Sequence, residues 1–249
     1  MKRLSTSAKI LAGLVITLTL ISVIYSFLPQ PDYLPAQDID IKISKTLAHL
    51  MNVGMAFFLY GGLGYLGLLL SRKTGFPEFW DSKFTLKQRL LTPALIGIAL
   101  GVFIIVFELV FGRFHDLGPL PHPPFPSSIL ATMGAAIGEE ILFRLFFIPF
   151  WIWLISQILL KHRWQTQIFW FVTFFSAIVF SLIHIPTVMI VYGLENIYQI
   201  PDALMIGILV VNSVVSFFAA WYFKKYGFLT AVGIHFWTNI VWHVIWGVV

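Results

Sequence analysis

Two adjacent glutamates and an arginine lie inside an apolar run. The stretch 131–149 reads A-T-M-G-A-A-I-G-E-E-I-L-F-R-L-F-F-I-P. Residues 127–149 are long enough to cross a bilayer at about 1.5 Å per residue. An ionised side chain at membrane depth costs about 2.5–3.5 kcal/mol on insertion scales. Glu139, Glu140 and Arg144 are tolerated there only if they face a protein interior or a wet cavity. A residue in that position is by default a functional candidate.

Composition supports the membrane reading. Of 249 residues, 59% are hydrophobic and 11% charged, well under the roughly 25% charged share of a soluble domain. The chain lacks the polar surface a soluble fold of this length needs, and its mean hydropathy is +0.88. The expected fold class is all-α: one polytopic transmembrane bundle over 1–249, with about seven helices and possibly eight. The net charge of +5 reads as loop charge at one membrane face, with no basic module suited to nucleic acid. With no cysteine in the chain, disulfides, thiolate metal sites and a cysteine nucleophile are excluded. The basic start followed by an apolar run resembles a signal peptide. That run is too long and lacks an A-x-A exit, so an uncleaved first helix is expected.

The expected helices cover about 10–28, 47–71, 90–111, 127–149, 165–186, 203–223 and 228–249. Prolines 29 and 31 stop the first. An acidic loop with Asp32, Asp38 and Asp40 follows. The basic loop 72–89 is expected to rest its 76–80 segment at the interface, and 112–128 is a Pro-rich loop. Pro149 should kink or end helix 4, leaving 151–160 as its bent continuation or an added crossing. Lys224, Lys225 and Gly227 are expected in a turn. Glycines at 97 and 101, and at 134 and 138, have the spacing of close helix packing.

Lys and Arg placement sets orientation. With the N-terminus cytoplasmic and seven crossings, Lys2, Arg3, Lys9, Arg72, Lys73, Lys83, Lys87, Arg89, Lys161, Arg163, Lys224 and Lys225 share the inner face. Only Lys42, Lys45 and Arg113 fall outside, and Arg144 lies in the membrane. The expected location is a bacterial-type plasma membrane.

Few strongly polar residues remain inside the spans. Helix 4 has Glu139, Glu140 and Arg144, helix 5 has His184, and helix 7 has His235, Asn239 and His243. Positions i and i+4 share a helix face, so Glu140 pairs with Arg144, Phe180 with His184, and His235 with Asn239. Glu139 points about 100° away from Glu140, toward a pocket. A carboxylate can take the proton of a water. A histidine beside it can orient that water, and a second histidine with an asparagine can bond a developing oxyanion. Equally, Glu139, His184 and His235 could hold zinc with an open fourth position. Both chemistries stay open on spacing alone.

Glu139-Glu140-Ile-Leu-Phe-Arg144, Phe180-Ser-Leu-Ile-His184 and His235-Phe-Trp-Thr-Asn239 resemble the E-E-x-x-x-R, F-x-x-x-H and H-x-x-x-N signatures of the type II CAAX prenyl endopeptidases. The wider group is the CAAX protease and bacteriocin-processing (Abi) family of intramembrane proteases. The resemblance covers about 127–249, as a catalytic core, and leaves helices 1–3 in 1–126 outside it. It implies an intramembrane endopeptidase with its site among helices 4, 5 and 7. By resemblance, Glu139 activates water, His184 assists it, and His235 with Asn239 stabilises the oxyanion. Glu140 and Arg144 support the first motif's helix. It implies a peptide or protein substrate, membrane-anchored or prenylated, in contact with the bilayer. No cofactor is the favoured reading, with Zn2+ as its alternative.

Plainer readings stand beside these. Glu140 and Arg144 could be a structural ion pair, and His235 with Asn239 interhelical hydrogen bonding worth about 1 kcal/mol. His243 reads as structural, Phe180 as packing, and His115 and His122 as solvated loop residues. A proton-coupled transporter and a non-catalytic scaffold or immunity protein are the competing functions. No internal repeat of the transporter kind is present. One geometric demand stands out. His184 reaches the depth of Glu139 only if helix 5 continues past Pro186 toward Tyr192, or if the helices tilt or shift in depth; the continuation is expected.

Overall fold

The computed structural model describes residues 4–25, 27–28 and 45–249, without the side chains of 45, 46, 48, 49 and 52. Lys2, Arg3, the acidic loop with Lys42, and the Lys45, His49 and Asn52 side chains lie outside the described residues. Among the described residues there is no strand, and seven helices are long and apolar enough to cross a membrane. They are α1 (Thr6–Tyr25), α2 (Val53–Lys73), α3 (Lys87–Phe114), α4 (Ser127–Leu159), α5 (Gln165–Tyr192), α6 (Asp202–Tyr226) and α7 (Phe228–Val248). Leu11 and Val15 of α1, Leu68 of α2, Ile137, Ile141 and Leu145 of α4, Ala219 and Phe223 of α6, and Phe228 and Ala231 of α7 share one buried core. The residues that bear on function sit beside it.

The segment 151–160 adds no crossing. α4 runs through Pro149 to Leu159, with π-helical turns over Ile141–Phe147 and Trp153–Leu159. A proline in a regular helix lacks an N–H and collides with the carbonyl four residues back. The wide turn just before Pro149 relieves both demands. The Leu145 carbonyl, left without a partner at 149, lies so close to Gly67 of α2 that any Cβ there would strike it.

α5 also passes its proline. It is regular to Leu182, breaks at Ile183 and His184, and resumes over Ile185–Tyr192 with Pro186 in the new first turn. A missing N–H is harmless at that position. The break leaves His184 at a helix junction instead of mid-helix.

Two loop expectations change. Lys224 and Lys225 belong to the last turn of α6, where cations complement the helix dipole. Gly227 alone makes the turn, at φ 96°, a backbone conformation that suits glycine. Within the 76–80 segment only Trp80 is exposed, with the Arg89 guanidinium 4.2 Å over its ring. Phe79 is buried, and Phe76 stacks on Phe223 at 4.3 Å. The loop is pinned by Glu78, which accepts from Arg72 Nε at 2.7 Å and from the Ser7 hydroxyl.

Small residues set another close helix pair. A Cβ on Gly97 would lie 2.5 Å from the Ile234 carbonyl oxygen and 2.7 Å from Trp237 Cβ. One on Gly101 would lie 2.6 Å from Val241 Cβ. α3 therefore packs backbone to backbone on the half of α7 that carries His235 and Asn239.

Candidate active site

Depth brings three helices to one level. Glu139 is twelve residues into α4, about 18 Å from its start at 1.5 Å per residue. His184 lies about 12 Å below Tyr192 at the end of α5 by the same rise. His235 lies about 20 Å below the end of α7, again by that rise. All three ends belong to one face, as successive crossings require.

Glu139 Oε2 is 3.8 Å from His184 Nε2 and 3.8 Å from His235 Nε2. Neither gap is a direct hydrogen bond, but both suit a water bridging the three groups. Each imidazole is fixed from behind. His184 Nδ1 donates to the Phe180 carbonyl at 2.6 Å, and His235 Nδ1 donates to Glu140 Oε1 at 2.9 Å. A carbonyl and a carboxylate can only accept, so both Nδ1 atoms carry the proton. Both Nε2 atoms are thereby turned toward Glu139.

Glu140 and Arg144 are completely buried and make an ion pair, Oε2 to Nε, at 3.1 Å. Burying two charges is costly unless each is compensated. The other face of the guanidinium lies 4.5 Å over the Phe180 ring, and Glu140 has its second oxygen on His235. Glu139 differs, with its side chain 27% exposed. The adjacent glutamates thus have separate surroundings: one sits inside protein, the other faces open space.

That space is a cavity of about 630 Å3. Glu139, His184, His235 and Asn239 all line it, within mostly apolar walls. Its walls come from α3 and the 112–123 loop as well as α4–α7, so α3 and α6 join the three helices that the sequence suggested. A second cavity of about 450 Å3, between α1, α2 and α4, reaches Glu139 from the other side.

Three readings of single residues change here. Phe180 does more than pack: its carbonyl fixes His184, and its ring lies 4.8 Å from the His184 ring and 5.9 Å from the His235 ring. Its position four residues before His184 was the available signal. His122 is not a solvated loop residue, since its Nδ1 is 2.9 Å from His243 Nδ1 and its Nε2 is buried. His115 likewise has a buried Nδ1 and lines the cavity. Glu108 accepts from Trp242 Nε1 at 2.8 Å and from the Leu120 N–H at 3.2 Å. No pattern in the sequence joins those residues.

Donors around one tetrahedral zinc stand about 3.3 Å apart, from bond lengths near 2.0–2.1 Å. Glu139 Oε2 is wider than that from both imidazoles, and the described residues contain no group of three His, Asp or Glu arranged to hold a metal. As placed, these side chains do not fit a zinc ion.

Residues 121–241 match the family of type II CAAX prenyl endopeptidase, Rce1-like, proteins. The matched segment is just under half of the chain and supports the family resemblance carried by the three motifs. No curated protein and no solved structure matches it. All seven residues of the three motifs fall within the CAAX-protease match, whereas His243 falls outside it. The match supports a CAAX-type intramembrane protease in general, with a peptide or protein substrate, and the seven apolar helices support a multi-pass membrane protein.

Proposed function

We propose that this protein is an endopeptidase that hydrolyses its substrate with a water held between Glu139, His184 and His235. The observation that carries the reading is the pair of 3.8 Å gaps from Glu139 Oε2 to two imidazoles. Both rings are locked with Nε2 facing inward.

Proton counting assigns the roles. A water has two protons to give, and Glu139 takes one of them as it attacks the peptide carbonyl carbon. Neutral His184 offers Nε2 as acceptor for the other and so aims the oxygen. An oxyanion needs donors. His235 serves as one if it carries both protons, with Nδ1–H on Glu140 and Nε2–H toward the new O−. The Asn239 amide is the second donor. As the C–O bond forms and the C–N bond breaks, Glu139 hands its proton to the leaving amine nitrogen. Glu140, Arg144 and Phe180 position these groups and do not touch substrate.

The Lys and Arg distribution supports a cytoplasmic N-terminus, and the membrane in this reading is a bacterial-type plasma membrane. The cavity mouth, at the 112–126 loop, then faces away from the cytoplasm. A membrane-anchored chain fits its apolar walls.

The test is a peptide-library digest with purified protein, read by mass spectrometry with and without a chelator. Cleavage by the wild type should fall about 100-fold to 10,000-fold in Glu139→Gln, the range for losing a general base, and similarly in His184→Ala. Unchanged cleavage in Glu139→Gln would refute the assignment. Loss of activity with chelator alone would move the chemistry to a metal.

A further inference from the structure

The mouth of the cavity is crossed by the loop between α3 and α4. Gly112 and Arg113 at the end of α3, and His115, Gly118, Leu120 and Pro121 of the loop, face the cavity. Side chains from three helices tie the loop down. Glu108 of α3 accepts from the Leu120 N–H at 3.2 Å. The Tyr192 hydroxyl of α5 donates to the Gly118 carbonyl at 3.1 Å. On α7, His243 Nδ1 meets His122 Nδ1 at 2.9 Å, with the Trp242 ring edge-on to His122 at 5.5 Å. Gly247 makes room for this last tie, because a Cβ there would lie 2.8 Å from His122 Cβ. The catalytic proposal uses none of these residues.

The geometry points to a lid: the 112–126 loop covers the cavity, and the His122–His243 pair is an acid-sensitive latch that controls access to it. The two facing nitrogens hold one proton between them. A second proton on that face would set two N–H groups against each other. His122 Nε2 is the other position on that ring, and it is buried with no partner. Released into water, the same imidazole takes a proton freely. By linkage, acid favours whichever state binds more protons, here the released loop.

The surrounding charges leave that sign in place. Burial pushes the His122 imidazole below its usual value, and the nearby Glu108 carboxylate only partly opposes this. The other ionisable groups reaching the pair are His184 of α5 and His235 of α7. α6 lines the cavity with apolar residues and the neutral Asn212, α4 presents Glu139, and the segment after Phe111 adds Arg113 and His115.

The inference rests on the cavity being the substrate site, but its test needs no turnover. The chain has no cysteine, so Asn212→Cys places a single thiol inside the cavity. Its labelling rate by a charged methanethiosulfonate is divided by that of the fully exposed Tyr198→Cys, which removes the intrinsic pH effect on thiols. Between about pH 7.5 and about pH 5.5, across the histidine range, the ratio should rise. A rise of about threefold to tenfold corresponds to one net hydrogen bond. With His122→Ala the ratio should already be high at neutral pH and stay flat. With Tyr192→Phe it should rise at both pH values and keep its pH step. A flat ratio in the native loop, or a His122→Ala ratio equal to the native one, overturns the latch. Labelling as expected without peptide cleavage would refute the protease chemistry alone; cleavage with flat labelling would refute the latch alone.

Discussion

Glu139 and Glu140 are neighbours in sequence with opposite physical situations, and their variants should separate accordingly. Glu140→Gln leaves the fully buried Arg144 without its counter-charge. That should cost about 3–5 kcal/mol, the usual penalty for breaking a buried pair, and lower the melting temperature in detergent. Glu139→Gln removes a part-exposed carboxylate and should leave the melting temperature within a few degrees while cleavage is lost. Phe180→Leu is intermediate. It deletes the ring 4.5 Å under Arg144 but keeps the carbonyl that fixes His184. A loss of about 1–2 kcal/mol is expected, set by the cation–π contact, with kcat reduced more than KM altered. Equal melting temperatures for all three variants would contradict the division between buried support and exposed chemistry.

At the scale of elements, the fit of α3 to α7 controls where His235 and Asn239 stand. Gly97→Ala sets a methyl 2.5 Å from the Ile234 carbonyl oxygen. It should destabilise by about 1–3 kcal/mol, as overpacking does, and depress activity from outside the cavity. Gly62→Ala, with nothing within 4 Å of its Cβ, should be neutral or stabilising by up to about 1 kcal/mol through helix propensity. Thermal melting of the two variants side by side checks the contrast. These elements were partly readable: the spacing of Gly97 and Gly101 announced close packing, and Pro186 announced a break in α5. What Pro149 would do was not readable, since the π turn that absorbs it depends on Gly67 of another helix lying against the Leu145 carbonyl.

For the whole molecule, one clamp closes the face that bears the N-terminal end of α1. Glu78 in the loop after α2 holds Arg72 and Ser7 together. The Arg72 hydrogen bond, helped by Ser7, keeps its carboxyl below the usual value of 4.5. A depressed carboxylate contributes stability that is present above 4.5 and lost as pH falls through the folded value. The melting temperature should therefore decline in that acid range, and Glu78→Gln should remove that part of the decline. The sequence by itself determined the class of molecule. Seven apolar runs must be helices in a bilayer, because only a helix satisfies its own backbone there. It also determined which polar residues had to face inward, because charge at membrane depth is tolerated nowhere else. Only the tertiary structure decided what those residues meet: Glu140 on His235, Phe180 beneath Arg144, His122 on His243. Periodicity describes one helix at a time, whereas these contacts depend on the depth and rotation at which separate helices pack.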